Sequence, residues 1–201
     1  MKKKVSTTEK TFPFAEYLRL GEIKKLVHRF NDELKKKNSR SISITSLEPS
    51  EGRTFLTAVL ALGSAVFLKK KVLVVDTSSQ PHQGNLYLDR IFGDATMEKY
   101  VDLIKPNREQ GIQGESADFE LKELLDHYLT QYDLVLFDTT AINESNTDSM
   151  DPIIVSKTAG STIMILSQES INSGDFKKVY AEFNEWEIPI LGTVYNFWGN
   201  R

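Results

Sequence analysis

The sequence predicts an α/β domain, in which a mainly parallel sheet is flanked by helices on both faces and preceded by an N-terminal amphipathic helix. Two observations predict this class. Short apolar runs, typical of strands buried on both faces, alternate with segments of helical periodicity. The chain has 201 residues, 40% of them hydrophobic, which is enough to bury such a core. It contains no cysteine, which excludes disulfides, a thiol nucleophile and thiolate zinc sites.

The predicted elements follow from periodicity, in chain order. Apolar residues recur at helical spacing from Phe14 to Lys36, which predicts one amphipathic helix or two helices broken near Gly21. The further predicted elements are the strand Ser41–Ser46, the loop Leu47–Gly52, the apolar helix Arg53–Lys69, the strand Val72–Val75 closed by Asp76, the helix Phe119–Thr130, the strand Tyr132–Phe137 closed by Asp138, a helical segment over 148–158, the strand Thr162–Leu166, a helical segment over 174–186 and the strand Ile190–Tyr195. Ligands of α/β proteins bind where parallel strands end, so polar residues at these strand ends are candidates for a site.

The net charge of −3 hides an uneven distribution. Residues 1–40 carry 12 Lys and Arg against 5 Asp and Glu, whereas residues 41–201 carry 13 against 23. We therefore expect a basic N-terminal arm with its amphipathic helix, 1–40, and an α/β domain, 41–201, within one globular unit. The arm has three explanations: a solvated face, contact with anionic lipid, or contact with the acidic face of another subunit. Nucleic acid is not expected as a partner, because the body is acidic.

The same sequence predicts a cytoplasmic location. The segment after Lys2–Lys4 is polar where a signal peptide would continue with an apolar core. The longest apolar run, Phe55–Leu68, has 14 residues, which is short of the roughly 20 that span a bilayer. Membrane contact is therefore expected only at the inner face, peripherally or through a partner.

One loop has phosphate-binding character. Gly52, Arg53 and Thr54 match the last three residues of G-x-x-x-x-G-K-[ST], with arginine at the lysine position and Leu47 at the first glycine. In such loops a glycine lets the backbone approach the phosphates, a cation reaches the β- and γ-phosphate oxygens, and a hydroxyl binds magnesium. Taken alone, the loop is better explained as a cap of the helix that follows it.

Two aspartates strengthen the nucleotide interpretation. Asp76 and Asp138 each close an apolar strand. A carboxylate beside a phosphate loop can hold magnesium, although aspartate is also common in turns and helix caps. Because both aspartates and the loop fall at strand ends on one edge of the sheet, the sequence predicts a nucleotide and magnesium site there.

Five segments carry a wider pattern, and together they cover most of the chain. They are 43–54, Lys70–Asp76, Gln80-Pro81, Gln131–Thr139 and Ile190–Asn196, and the pattern runs from Glu16 to Asn196. It resembles the cytoplasmic domain of bacterial tyrosine kinases of capsule and exopolysaccharide export (the Wzc, CapB and CpsD type), which belong with the MinD/ParA-type P-loop ATPases.

The resemblance implies a P-loop NTPase-like fold with ATP or ADP and Mg²⁺ as its ligands. It implies nucleotide contacts from Ser50, Glu51, Gly52, Arg53, Thr54, Phe55 and Asn196, and Mg²⁺ contacts from Thr54, Asp76 and Asp138. Asp76 is the single candidate for a catalytic role. Glu16 and Arg19 match an ExxR-type helix that assembles subunits, which implies a homo-oligomer or a hetero-oligomer with an active paralogue.

Departures from the family pattern fall on catalytic positions. Arg53 replaces the phosphate-loop lysine, Ser50 replaces a glycine and Phe55 replaces a small hydroxyl residue. Ser78 stands where the family has a second carboxylate, the expected base, and a serine hydroxyl cannot accept that proton near neutral pH. The segment 105–116 lacks the family's usual strand and proline-rich stretch, and no tyrosine cluster precedes Arg201.

These features lead to three hypotheses of function. The first is a degenerate tyrosine-kinase-like protein that binds nucleotide weakly or conditionally. It would act as a regulatory or assembly partner in exopolysaccharide or capsule export, with a membrane-embedded co-polymerase or activator. The second is an active ATP-dependent tyrosine kinase or ATPase in which Arg53 and another carboxylate compensate. The third is a MinD/ParA-like positioning ATPase, disfavoured because no lysine occurs at Leu47, Glu48 or Pro49.

Overall fold

The computed structural model describes residues 14–77, 88, 91–92, 100–106, 117–144, 149–172 and 174–197. The helices with described bounds are α1 (Phe14–Tyr17), α2 (Gly21–Lys36), α3 (Arg53–Leu68), α4 (Ala117–Tyr128), α5 (Pro152–Ala159), α6 (Gln168–Asn172) and α7 (Asp175–Glu185). The strands are β1 (Ser41–Ser46), β2 (Val72–Asp76), β3 (Val101–Ile104), β4 (Leu134–Ala141), β5 (Thr162–Ser167) and β6 (Ile190–Asn196). Ser78, Gln80, Pro81 and the segment 107–116 lie outside the described residues.

The strands form one sheet in the order β3-β2-β4-β1-β5-β6, and each of its described pairs is parallel. The predicted α/β class is therefore confirmed. β1 lies between β4 and β5, so the strand order reverses beside it. A reversal of this kind leaves a crevice at the carboxyl ends of the strands, which is where the loop after β1 begins.

Alternate residues of the strands pack into opposite faces of the sheet. Leu134 and Leu136 of β4 join α2 and α3 in the largest core cluster. Val135 and Phe137 of the same strand pack with α4 and α5 on the other face, where a third cluster joins β5 to α7. Burial on both faces explains why the strands read as uninterrupted apolar runs.

The segment Phe14–Lys36 forms two helices, as one of the two predicted alternatives has it, with the break before Gly21. Val27, Phe30 and Leu34 of α2 are buried in the cluster that contains α3. The contact is close, because a Cβ added to Gly63 of α3 would overlap Cγ2 of Val27. Glycine at this position therefore sets the distance between the two helices.

Several predicted bounds are wrong. The strand predicted over Tyr132–Phe137 begins at Leu134, because the backbone N–H of Tyr132 still donates to the carbonyl of Tyr128 at the end of α4. That strand also continues to Ala141, so Asp138 lies inside it: Asp138 pairs with Ile44 of β1 and with Asp76 of β2. The short elements β3 and α6 have too few residues for periodicity to predict them.

Among the described residues, no helix has both the length and the apolar character needed to cross a bilayer.

Candidate functional site

The loop between β1 and α3 contains two residues with left-handed backbone conformations. Gly52, the residue before α3, has φ of 102°. A Cβ at Gly52 would lie 3.1 Å from Nδ2 of Asn196, so glycine meets both a conformational and a steric requirement. Ser50 has φ of 65°, a value that a serine adopts at a cost in conformational energy. This is the position where the family pattern has glycine.

Glu51 fixes this loop to the neighbouring strands through its buried carboxylate. Its Oε2 accepts a hydrogen bond from the backbone N–H of Glu48 (3.1 Å), and its Oε1 accepts from the N–H of Ser167 (2.8 Å) and from the hydroxyl of Ser170. Burial raises the pKa of Glu51, but these donors outweigh it and hold the pKa below the ordinary value. The side-chain amide of Asn196 donates to the Glu51 carbonyl (2.8 Å), which connects the loop to β6.

Arg53 is the cation of the loop. Its side chain is 12% exposed, Nη1 donates to the carbonyl of Thr139 (2.9 Å), and Nη2 lies 3.7 Å from Oε2 of Glu144. Burial lowers the pKa of Arg53, while the carboxylates of Asp138, Glu144 and Glu51 act in the opposite direction. The guanidinium therefore lies at the carboxyl edge of the sheet with anionic groups around it.

Two hydroxyls of α3 face Asp138. Oγ1 of Thr54 donates to Oδ2 of Asp138 (2.9 Å), and Oγ1 of Thr57 donates to Oδ1 (3.2 Å). Asp138 is fully buried, and burial, together with the neighbouring charge of Asp76, raises its pKa to about 7. Asp76 and Asp138 thus lie side by side on adjacent strands, and two threonine hydroxyls contact Asp138.

This donor set fits a magnesium ion bound together with phosphates. Hydroxyl and carboxylate oxygens are the ligand types that Mg²⁺ takes, usually one or two carboxylates with phosphate oxygens and water completing the octahedron. The described residues contain no cluster of three acidic or histidine side chains, so this part of the protein does not provide a cage of its own. Thr54, Asp76 and Asp138 would hold the ion, and the ion would neutralise charge on the phosphates.

The predicted site residues converge at one edge of the sheet. The loop residues Ser50 to Thr54 meet Asp76, Asp138 and Asn196 there, although Asp138 lies inside β4 and not at its end. The ring of Phe55 points to α1, with centroid distances of 5.6 Å to Phe14 and 5.5 Å to Tyr17. Glu16 and Arg19, the predicted interface residues, are exposed on α1 and just after it.

Sequence reasoning missed three residues at this edge: Thr57, Thr139 and Glu144. Thr57 reads as one polar residue in an apolar helix, and its position one turn after Arg53 was the available signal. Thr139 contributes its backbone carbonyl, which no sequence pattern reveals. Glu144 follows β4 in a turn, and only the folded chain brings it to Arg53.

Comparison with known proteins agrees with the predicted resemblance. No family model matches the chain. EpsB of Ralstonia nicotianae, which is named as a tyrosine-protein kinase, is 26% identical over 181 residues, a match that covers 77% of this chain and 22% of that protein. The chain therefore spans less than a quarter of the length of this curated relative.

Solved structures with this fold include two kinase domains and a MinD protein. The tyrosine kinase domain of BceF superposes with a TM-score of 0.63 at 19% identity, covering 87% of this chain and 75% of that one. The kinase domain of VpsO gives 0.62 at 18% identity, covering 92% and 98%. MinD of Pyrococcus horikoshii, solved with Mg-ADP, gives 0.54 at 23% identity, covering 81% and 72%. The resemblance to bacterial tyrosine kinases and MinD-type ATPases, and the P-loop type of fold, are thus confirmed.

Proposed function

We propose that this chain is a degenerate tyrosine-kinase-like P-loop protein that binds ATP or ADP weakly or conditionally and acts mainly by association. The observation that carries the proposal is the hydrogen bond from Thr54 to Asp138, with Arg53 one residue before Thr54 in the same helix turn. A hydroxyl, a strand carboxylate and a cation at one helix N-terminus are the groups that a magnesium nucleotide needs. The Mg-ADP in the MinD structure of the same fold supports the choice of ligand.

Weak or conditional binding is proposed from three features of the loop. Arg53 is already bonded to a carbonyl and lies beside a carboxylate, so a phosphate has to replace part of these contacts. The guanidinium is also broader than the ammonium it replaces in the family pattern. Ser50 holds a backbone conformation that favours glycine, which adds strain to the loop.

Feeble phosphoryl transfer is proposed from the sequence beyond β2. Asp76 ends that strand as the candidate catalytic carboxylate, but Ser78 occupies the position of the family's second carboxylate. Without a base near the attacking hydroxyl, proton removal loses a contribution of typically 10²–10⁴-fold in rate. Nucleotide binding and turnover would then be separable in this protein.

The proposed setting is exopolysaccharide or capsule export at the inner face of the membrane. The curated relative is named as a tyrosine-protein kinase and is much longer than the match, so the setting and its partners are part of the proposal. Partners would be further copies, an active paralogue or a membrane-embedded co-polymerase. Glu16 and Arg19, which are exposed close in sequence to Tyr17, would form the subunit contact.

The test is a titration of the full chain with fluorescently labelled ATP and ADP in the presence of Mg²⁺, followed by assays of phosphate release and self-phosphorylation. We expect saturable binding that Arg53→Ala removes and that Lys178→Ala, an exposed charge change on α7, leaves intact. Turnover should be far below that of an active kinase of this type.

Three outcomes would contradict this proposal in different ways. Turnover comparable to an active relative, lost in Arg53→Ala, would establish the kinase or ATPase hypothesis instead. Absence of nucleotide binding at millimolar concentration would leave a scaffold that has kept only the fold. Hydrolysis that depends on protein concentration would favour the positioning ATPase.

A further inference from the structure

Glu144 is the carboxylate nearest to Arg53 that neither the family pattern nor the proposed magnesium site uses. Its Oε2 lies 3.7 Å from Nη2 of Arg53 and accepts a hydrogen bond from the backbone N–H of Ala141 (3.3 Å). The two side chains differ in exposure, 12% for Arg53 against 33% for Glu144. The arginine is therefore enclosed, whereas the glutamate can leave toward solvent.

Hydrogen bonds hold the turn that contains Glu144 against the end of β1 and the start of the phosphate loop. The N–H of Ile142 donates to the carbonyl of Ser46 (2.9 Å), and the N–H of Asn143 donates to the carbonyl of Leu47 (3.0 Å). The side-chain amide of Asn143 also donates to Oε1 of Glu48 (2.6 Å). These bonds position Glu144 before any ligand arrives, so its contact with Arg53 requires no ordering of the turn.

The arginine at position 53 has the geometry to hold two acceptors at once. Nη1 binds the Thr139 carbonyl while Nη2 faces Glu144, an arrangement that the forked guanidinium allows and a single ammonium does not. A carboxylate and a phosphate both present anionic oxygens to such a fork. Occupation of Nη2 by a phosphate oxygen would thus displace Glu144 without breaking the bond to Thr139.

We propose that Glu144 is an internal competitor for the phosphates of the nucleotide, which holds Arg53 in the ligand-free protein and weakens nucleotide binding. The inference rests on the proposed function and deepens it, because it names the residue that makes binding conditional. Any change that moves the turn Ile142–Glu144 away from Arg53 would raise the affinity for nucleotide. A neighbouring subunit that binds this turn would act in that way.

The experiment measures the dissociation constants of Mg-ATP and Mg-ADP for the full chain and for Glu144→Gln. Glutamine keeps the size of the side chain and its acceptor for the Ala141 N–H, but it loses the charge. We expect about twofold to fivefold tighter binding, the range that corresponds to a partly exposed ion pair. Glu169→Gln is the control, since it removes one negative charge from an exposed position in the helix that follows β5, and it should change binding by less than twofold.

A double-mutant cycle with Arg53→Lys separates competition from a general effect of charge. If Glu144 acts through Nη2 of Arg53, Glu144→Gln should change the dissociation constant less in the Arg53→Lys background than in the wild type. Thermal melting of each variant verifies that it is folded.

The outcomes are distinguishable from failure of the proposed function. Saturable binding by the wild type that is unchanged or weakened in Glu144→Gln would overturn the competitor role alone. Unchanged binding with lost turnover would identify Glu144 as a catalytic carboxylate instead. If neither protein binds nucleotide, both the competitor role and the proposed function fail. Binding by Glu144→Gln alone would support the competitor role but contradict the nucleotide binding proposed for the wild type.

Discussion

Oγ1 of Thr54 lies 2.9 Å from Oδ2 of Asp138, and this hydrogen bond joins the first turn of α3 to β4, one of the two central strands of the sheet. It connects two of the three groups to which the family resemblance assigns magnesium. Asp138 is a buried carboxylate. Two hydroxyls donate to it, but burial and the neighbouring Asp76 disfavour its charged form. The ligand-free protein is therefore expected to be less stable at this edge than elsewhere in the core.

Replacement of Asp138 should change the free energy of unfolding by an amount that depends on pH. The folded-state pKa of Asp138, about 7, lies above the ordinary value of 3.8, so the folded protein holds a proton that the unfolded chain releases between these values. Stability from this group is complete below pH 3.8 and is lost as the pH rises through about 7. Asp138→Asn should thus raise the free energy of unfolding at pH 8 by about 1–3 kcal/mol, and by less at pH 5.

Urea denaturation of the ligand-free protein at both pH values measures this difference. Asp126→Asn, an exposed change on α4, is the control and should be nearly neutral at each pH. An equal effect of Asp138→Asn at pH 5 and pH 8 would show that Asp138 titrates normally.

Restoring glycine at position 50 should stabilise the phosphate loop. Ser50 has a left-handed φ of 65°, which disfavours residues that carry a Cβ. Ser50→Gly is expected to raise the free energy of unfolding by about 0.5–1 kcal/mol and to tighten nucleotide binding. Asn38→Gly, at φ of 51°, is the control, and its gain should be smaller because asparagine tolerates this conformation. Destabilisation by Ser50→Gly would show that the serine side chain, not the backbone, determines the loop.

The Glu51 carboxylate should stabilise the protein at neutral pH and lose that effect in acid. Its folded-state pKa lies below the ordinary 4.5, so its stabilisation is present above that value and is lost as the pH falls through the folded-state pKa. Glu51→Gln should cost about 1–3 kcal/mol at pH 7, because a buried acceptor of three donors becomes neutral and partly mismatched. The difference from wild type should shrink below pH 4.5.

Thermal melting as a function of pH measures this effect, with Glu169→Gln as the exposed control. A constant difference between Glu51→Gln and wild type down to acid pH would contradict an ionised, structural role for this carboxylate.

A methyl group at Gly63 should separate α2 from the body of the protein. The added Cβ would overlap Val27, a buried β-branched side chain that cannot rotate away without disturbing its neighbours. Gly63→Ala is expected to cost about 1–3 kcal/mol, the range for overpacking a filled core. Gly192→Ala is a matched control, because nothing lies within 4 Å of a Cβ there. Hydrogen exchange should show the loss of protection in α2; uniform loss over the whole chain would contradict this local account.

Much of the site could be predicted from the sequence, because ligands of α/β proteins bind where the parallel strands end. Asp76 and Asp138 follow apolar runs, and parallel strands bring such residues to one edge. Gly52, Arg53 and Thr54 are contiguous, so their motif is visible without a fold. The bounds of β4 were less accessible, because its last residues are polar and belong to the strand only through pairing with β1 and β2.

The contacts of Arg53 could not be predicted in this way. Glu144 lies 91 positions after Arg53, in a turn without a periodic pattern. Backbone hydrogen bonds between that turn and the loop after β1 bring it to the arginine. The same holds for the carboxylate of Glu51, whose three donors come from its own loop, the end of β5 and α6. Local sequence thus predicts the groups of the site, whereas tertiary structure determines which of them are already engaged.

The central claim is that a magnesium nucleotide binds at the edge formed by Arg53, Thr54 and Asp138. Calorimetric titration of the full chain with ADP, with Mg²⁺ and again with excess EDTA, tests it most directly when repeated on Thr54→Val. We predict weak, saturable binding that Mg²⁺ strengthens in the wild type, and loss of this magnesium dependence in Thr54→Val. Absence of binding in the wild type, or the same magnesium dependence in both proteins, would contradict the claim.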